Sequence, residues 1–324
     1  MRTTLVTGAR GQIGSDLVRI LRARDGAEAV LATDLQDPPA GSEPGDEADT
    51  GPYEVLDVTD GARLQDLVAR YDVGAVYHLA SLLSATGERK PDLAWAVNTG
   101  GLRHVLEAAR AHGLRVFWPS SIAVFGPTTP DDAPQRTVLE PTTMYGTTKV
   151  AGELLCQYYH VRHGVDVRSL RYPGLLSYTA PPGGGTTDYA VEIFYAALEG
   201  RPYTCFLAPE TRLPMMYMPD ALRATLGLMD ADPDRLTVRT SYNVGALSFS
   251  AEELAAALRR RVPGFEVTYA PDFRQAIADS WPSSVQDAAA RADWDWQPAY
   301  DLDATVDDMV AHLSARLETA PSEQ

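Results

Sequence analysis

Lysine is almost missing from this chain: of its 28 basic residues only Lys90 and Lys149 are lysines, and the rest are arginine. Cysteine is as scarce. Cys156 and Cys205 both sit in apolar stretches, which reads as two reduced core thiols rather than a disulfide framework. Basic residues are outnumbered 28 to 44 by acidic ones, and the net charge of −16 excludes nucleic acid and anionic membrane surfaces as expected partners. No apolar run approaches the ~20 residues that span a bilayer. The chain enters a β-branched run at Thr3 without the layout of a signal peptide, so the expected location is cytoplasmic. None of the six histidines has a cysteine at ligand spacing, and His160 with His163 is the single pair that could chelate; no metal is expected.

What is present is a chain of 324 residues, 45% hydrophobic, enough to bury a large core. Its first half alternates short β-branched runs with helical patterns. Strands are expected at 3–7, 29–34, 53–56, 75–79, 115–119 and 166–171, with helices at 12–24, 61–71, 91–112 and 145–163. That alternation predicts an α/β fold, a doubly wound parallel sheet covered on both faces. The segment from Gln36 to Pro52, rich in Pro, Gly, Asp and Glu, reads as a surface loop. After Tyr172 the rhythm loosens into a Gly/Pro/Thr loop (180–187), a helix at 188–198 and the run Leu213-Pro214-Met215-Met216-Tyr217-Met218-Pro219-Asp220. The expected division is a sheet domain over 1–171, a smaller mixed α/β substrate portion over 172–317 that interleaves with it, and a frayed tail over 318–324.

Where arginine is the default, a retained lysine points to chemistry that a guanidinium cannot perform. Lys149 lies four residues after Tyr145, so on a helix the phenol and the ammonium share a face. A cation beside a phenol favours the phenolate, and the pair is therefore expected to act as a general base with a lowered tyrosine pKa. Upstream, Thr7-Gly8-Ala9-Arg10-Gly11-Gln12-Ile13-Gly14 joins the first strand to the first helix. Gly8, Gly11 and Gly14 permit a tight turn, and the backbone of Gln12 and Ile13 opens a helix toward a pyrophosphate. Asp34 ends the second strand 20 residues past Gly14, where a carboxylate accepts ribose hydroxyls and repels a 2′-phosphate, which favours NAD over NADP. Arg10 pulls the other way. Asp57 and Val58 would lie beside the adenine, and Leu79, Ala80 and Ser81 along the pyrophosphate and nicotinamide, all at carboxyl ends of strands.

Ser120-Ser121-Ile122-Ala123-Val124-Phe125-Gly126, with Tyr145, Lys149, the glycine turn and Asn98, resembles the extended short-chain dehydrogenase/reductase family. The resemblance implies a Rossmann-type fold. It also implies that Ser121 hydrogen-bonds the substrate oxygen, Tyr145 is the acid/base, and Lys149 holds the nicotinamide ribose with Asn98 in support. The segments 171–178, 182–190 and 213–218, His78 to Ala85, and Ala278-Asp279-Ser280-Trp281-Pro282 look like the short-chain-type L-threonine 3-dehydrogenases, and this resemblance runs from about Thr3 to Leu317. It implies NAD as cofactor, with Tyr172, Pro173, Gly174 and Leu175 on the cofactor side. It further implies L-threonine as substrate, oxidised at C3 to 2-amino-3-oxobutanoate, with Ser84, Gly184, Thr186 and Trp281 around it. The physics of a Gly/Thr loop, with bare N–H groups and hydroxyls, suits a small carboxylate ligand. A nucleotide-sugar epimerase or dehydratase on the same fold is the alternative; a diphosphate would call for basic residues in the second half. The helices 91–112 and 145–163 are apolar nearly all round, which predicts a homodimer through a four-helix contact.

Overall fold

The computed structural model describes residues 2–37, 51–180, 182–183 and 185–319. Seven parallel strands form the central sheet, in the order Tyr242–Asn243, Asp166–Tyr172, Arg115–Ser121, Val73–His78, Thr3–Thr7, Val30–Asp34, Tyr53–Val55. Sequence order reverses on either side of the Thr3–Thr7 strand. This is the arrangement in which open α/β sheets place ligands beyond their carboxyl edge. The strands are rich in Val, Leu and Thr because both faces are covered. On one face, Leu5, Val76, Val116, Trp118 and Val167 pack with the helices Gly61–Arg70, Leu102–His112 and Met144–His163. On the other, Val6, Tyr77, Phe117 and Leu170 pack with the helices Gln12–Asp25 and Met218–Asp230.

The two halves of the chain interleave. The edge strand Tyr242–Asn243 comes from the second half, and Met216, Met218, Leu228 and Trp294 lie in one core with Val6 and Val30. A second core, from Leu176 to Leu313, is built entirely of second-half residues around a three-stranded sheet (Gly174–Leu176, Arg212–Tyr217, Leu247–Ser250). The run around the three methionines is therefore a buried strand that passes directly into the Met218–Asp230 helix.

Two expected elements differ. The helix expected over 91–112 is instead Pro91–Ala94, a π-helical stretch Trp95–Gly101, and Leu102–His112. Gly100 and Gly101 weaken the α-helical preference there, and Gly101 lets the backbone settle against Val58. The tail expected to fray after Leu317 stays helical through Thr319, because Val306, Met309 and Leu313 anchor the Leu302–Thr319 helix in the second core. Residues 320–324, and most of the acidic loop expected over 36–52, lie outside the described residues.

The Met144–His163 helix sits close to the sheet because of Gly152, where an added Cβ would run into the Trp118 ring. Gly152→Ala should cost about 1–3 kcal/mol through this overpacking, read as a lower urea midpoint at unchanged m-value. Unchanged stability would show that the helix rides free of the strand.

Candidate functional site

The first strand ends at Thr7, and the glycine turn follows. Gly8 has φ +68°, and a Cβ there would lie 2.7 Å from the Ala80 nitrogen. Gly14 fits tightly over the Gly8 carbonyl, which also accepts from Gly11 N at 3.0 Å. Gly11 caps the Gln12–Asp25 helix without a side-chain acceptor, so the N–H groups of Gln12, Ile13 and Gly14 are presented at the helix mouth. The turn is thus a cradle that side chains would fill, and it fits a pyrophosphate. Asp34 closes it from the neighbouring strand, accepting from Arg10 N at 3.0 Å. The Arg10 guanidinium is turned onto Gln36 Oε1 (2.9 Å) and the Asp37 carbonyl (2.8 Å).

Across the turn, Leu79 N donates to the Thr7 carbonyl at 3.0 Å, which carries Ala80 and Ser81 along the sheet edge. Asn98, buried in the π-helical stretch, accepts from Ser81 Oγ (3.1 Å) and Leu82 N (2.8 Å), and donates to the Leu82 carbonyl (3.0 Å) and Thr148 Oγ1 (3.1 Å). It ties the 81–82 backbone to the residue before Lys149. Val58 is buried and its carbonyl is bonded to His104 Nδ1, whereas Asp57 is exposed and turns its carboxylate back onto Thr59. His78, fully enclosed, bonds Thr7 Oγ1 through Nδ1 at 2.8 Å, and burial pushes it down to about 3, so it stays neutral.

Ser121 ends its strand and caps the short 3-10 turn Ile122–Val124, its hydroxyl accepting from Ala123 N at 3.2 Å. The Met144–His163 helix begins beside it. Thr143 caps that helix by accepting from Gly146 N, Glu88 accepts from Met144 N at 2.6 Å, and bare Gly146 lets the first turn press onto the Ala123 carbonyl. Tyr145 is thereby placed within reach of the Ser121 hydroxyl, which acts to lower its pKa. Lys149 follows one turn on, 2% exposed, with Nζ donating to the Pro119 carbonyl at 2.7 Å and lying 4.7 Å from the Trp118 ring centre and 5.3 Å from that of Tyr145.

The three expected side chains are together, but the expected electrostatics are absent. Desolvation pushes the Tyr145 phenol up to about 12 despite the opposing influence of Ser121, and pushes Lys149 down to about 7. The ammonium is directed to a backbone carbonyl and over a ring face, so it does not offset the phenol's loss of water.

The remaining expected residues are spread around this centre. Tyr172 is turned into the core, its hydroxyl spent on Thr225, which leaves only its backbone toward the sheet edge. Pro173 is buried, and Gly174 and Leu175 run into the three-stranded sheet; Gly174 allows Thr187 and Met215 to close over it. Thr186 is buried, and Ser84 is half-buried at the start of the helix Ser84–Arg89. Trp281 packs between the second-half core and the cluster of Ile122, Val124 and Phe125 beside Ser121. Gly184 lies outside the described residues. Among the described residues no three His, Cys, Asp or Glu side chains gather as for a metal; His160 is bonded to the Val165 carbonyl and His163 is packed against Tyr158 and Tyr159. Sequence reasoning missed Ser120, Glu153 and Arg171, which form a buried cluster under the site; the spacing of Glu153 from Lys149, another four residues, was the available signal.

Residues 4–245 match the model of the NAD dependent epimerase/dehydratase family. The chain is similar to a GalE-like L-threonine dehydrogenase from Cupriavidus necator in its holo form, with 54% identity, 96% of this chain and 99% of that one covered, and a TM-score of 0.92. A monomeric L-threonine 3-dehydrogenase from a metagenome is 45% identical over 97% of this chain and 99% of that one, with a TM-score of 0.91. An uncharacterized epimerase/dehydratase from Staphylococcus haemolyticus is 48% identical over 93% of this chain and 94% of its own.

The enclosure of Lys149 between two rings, with one carbonyl acceptor, suits a compact ammonium and not a planar fork. Lys149→Arg should therefore lower NADH formation by about a hundredfold or more, whereas Lys90→Arg, at an exposed position, should leave it unchanged. Near-normal turnover by Lys149→Arg would remove the special role of this lysine.

Proposed function

The chain belongs to the NAD-dependent epimerase/dehydratase family, and from that premise we propose that it oxidises the C3 hydroxyl of L-threonine, giving 2-amino-3-oxobutanoate and NADH. The observation that carries the reading is the convergence of Ser121, Tyr145 and Lys149 at the carboxyl edge of the sheet, beside the glycine turn. The choice of threonine rests on the solved relatives that are L-threonine dehydrogenases.

In this reading Gly8, Gly11 and Gly14, with the N–H groups of Gln12 and Ile13, hold the pyrophosphate of NAD. Asp34 takes the adenosine ribose hydroxyls, and its charge disfavours a 2′-phosphate; Arg10, occupied by Gln36 and Asp37, does not offset it. Asp57 and Val58 border the adenine. Leu79, Ala80 and Ser81, held by Asn98, and the Tyr172–Leu175 backbone border the nicotinamide, with Lys149 on its ribose. When bound, NAD supplies the hydride acceptor. The Tyr145 phenolate takes the hydroxyl proton as the C3–H bond gives up its hydride, and Ser121 steadies the oxygen as it becomes a carbonyl. Ser84, Gly184, Thr186 and Trp281 surround the amino acid.

The base works only after the phenol has lost its proton, and burial raises its pKa. Oxidation should therefore accelerate as pH rises from neutral into the alkaline range. Tyr145→Phe should lower kcat about 10²–10⁴-fold with NAD affinity retained. The check is NADH absorbance with NAD and L-threonine. No NADH with threonine, alongside turnover of another alcohol or tight uridine diphosphate binding, sinks the substrate; near-normal kcat in Tyr145→Phe sinks the base.

The outward face of the Met144–His163 helix also carries an apolar strip, Leu154 at 59% exposure, Tyr158 at 54% and Val161 at 75%. Leu93 and Trp95 are exposed near the start of the neighbouring helix. Such a strip on a chain of this charge is read as a homodimer surface. Light scattering at micromolar concentration should give twice the chain mass, and Leu154→Glu with Val161→Glu should halve it; a monomeric wild type would rule this out.

A further inference from the structure

The Met144–His163 helix carries a carboxylate that the reaction above does not use. Glu153 lies one turn beyond Lys149 on the same face and is 1% exposed. Its Oε1 accepts from the Ser120 hydroxyl at 2.6 Å and from Arg171 Nε at 2.8 Å, and its Oε2 accepts from Arg171 Nη2 at 2.7 Å. Arg171 Nη1 donates to the Gln135 carbonyl and to Asn243 Oδ1, both at 3.1 Å. Ser120 and Arg171 are register partners on adjacent strands, and Ser121 is the next residue along. An enclosed ion pair adds little stability over apolar packing of the same volume, so stability alone does not explain one at this place.

We propose that Glu153 is a positioning residue for this oxidation: through Ser120 it fixes the Ser121 end of the strand against the helix, and its charge, one helical turn from Lys149, opposes the loss of the ammonium's proton. The second part follows from what faces Lys149. From its own helix come Tyr145, Glu153 and Cys156; from the sheet come His78, the Pro119 carbonyl and the Trp118 ring. Burial is the largest influence on Lys149 and lowers it. Cys156 stands next to it, but burial pushes that thiol up and keeps it uncharged, as it does the Tyr145 phenol, while His78 is pushed down and neutral. Glu153 is left as the anion that opposes the desolvation of the ammonium. Arg171 holds the carboxylate by two bonds, so one buried anion serves two buried cations.

The proposal rests on the reading of the site as an NAD-dependent dehydrogenase, and two readouts let the two fail separately. NADH affinity, followed by nucleotide fluorescence across pH, requires no turnover; it should weaken as pH rises through about 7 and Lys149 loses its proton. Glu153→Gln should move that midpoint down by about one pH unit. Should that variant fail to fold, Arg171→Gln, which removes the cation paired with the carboxylate, should move the midpoint the other way. Ser120→Ala, which spares the ion pair, should keep NADH affinity within about twofold while lowering kcat about tenfold at little-changed KM for threonine. A wild-type affinity without such a midpoint, a midpoint unmoved by loss of the carboxylate, or wild-type kcat in Ser120→Ala would each overturn the proposal. Wild-type protein that binds NADH but leaves threonine untouched would instead sink the substrate reading, with the midpoint still deciding the role of Glu153.

Discussion

The contact between the Met144–His163 helix and the strand that ends at Ser121 sets the geometry of everything else in the site. It is made at three successive levels. Gly146 lies on the Ala123 carbonyl, Lys149 reaches the Pro119 carbonyl, and Gly152 leaves room for the Trp118 ring. Larger residues at either glycine would lift the helix and carry Tyr145 and Lys149 away from Ser121. The spacing of these positions, three residues each, keeps them on one helical face. The close approach and the chemistry are therefore written on the same stripe of the helix.

That closeness has an electrostatic consequence. Groups pressed between a helix and a covered sheet lose water, and desolvation acts on the phenol and the ammonium in opposite directions, raising one and lowering the other. A pair that looks from its spacing like a ready phenolate is instead held toward its two neutral forms. Glu153 already opposes the fall of the ammonium, so restoring the charged pair takes something further, such as the charge of a bound ligand.

The sheet, the glycine turn and the Tyr145/Lys149 helix were legible because each is a local pattern: β-branched runs, glycines at a strand-to-helix turn, and four-residue spacing. The strands Thr3–Thr7 and Val30–Asp34 and the helix Met144–His163 lie within a residue of where the pattern puts them. The π-helical stretch around Asn98 was not legible, because its cause is tertiary. Asn98 is drawn to Leu82 and Thr148, residues distant in sequence, and Gly101 is drawn to Val58. Tyr172 shows the same limit. The resemblance puts it on the cofactor side, and only the packing of Phe117 and Thr225 reveals that its side chain faces the opposite way.

The same limit applies to the division between the halves. The change of rhythm after Tyr172 is real, since a separate core of second-half residues begins at Leu176. Yet the edge strand Tyr242–Asn243 returns to the parallel sheet, and Asn243 accepts from Arg171 and donates to the Ala133 carbonyl. Ser284 and Val285 pair in turn with Asp132 and Ala133, close to Trp281. The segment 132–135 is thus bonded on both sides by second-half chain. The second-half chain could not swing as a free unit without disturbing Arg171, and through it Glu153 and Ser120. The buried ion pair stands where the two halves meet, so Ser120 and Glu153, beside Ser121 and Lys149, are tied through Arg171 to Asn243 of the second half.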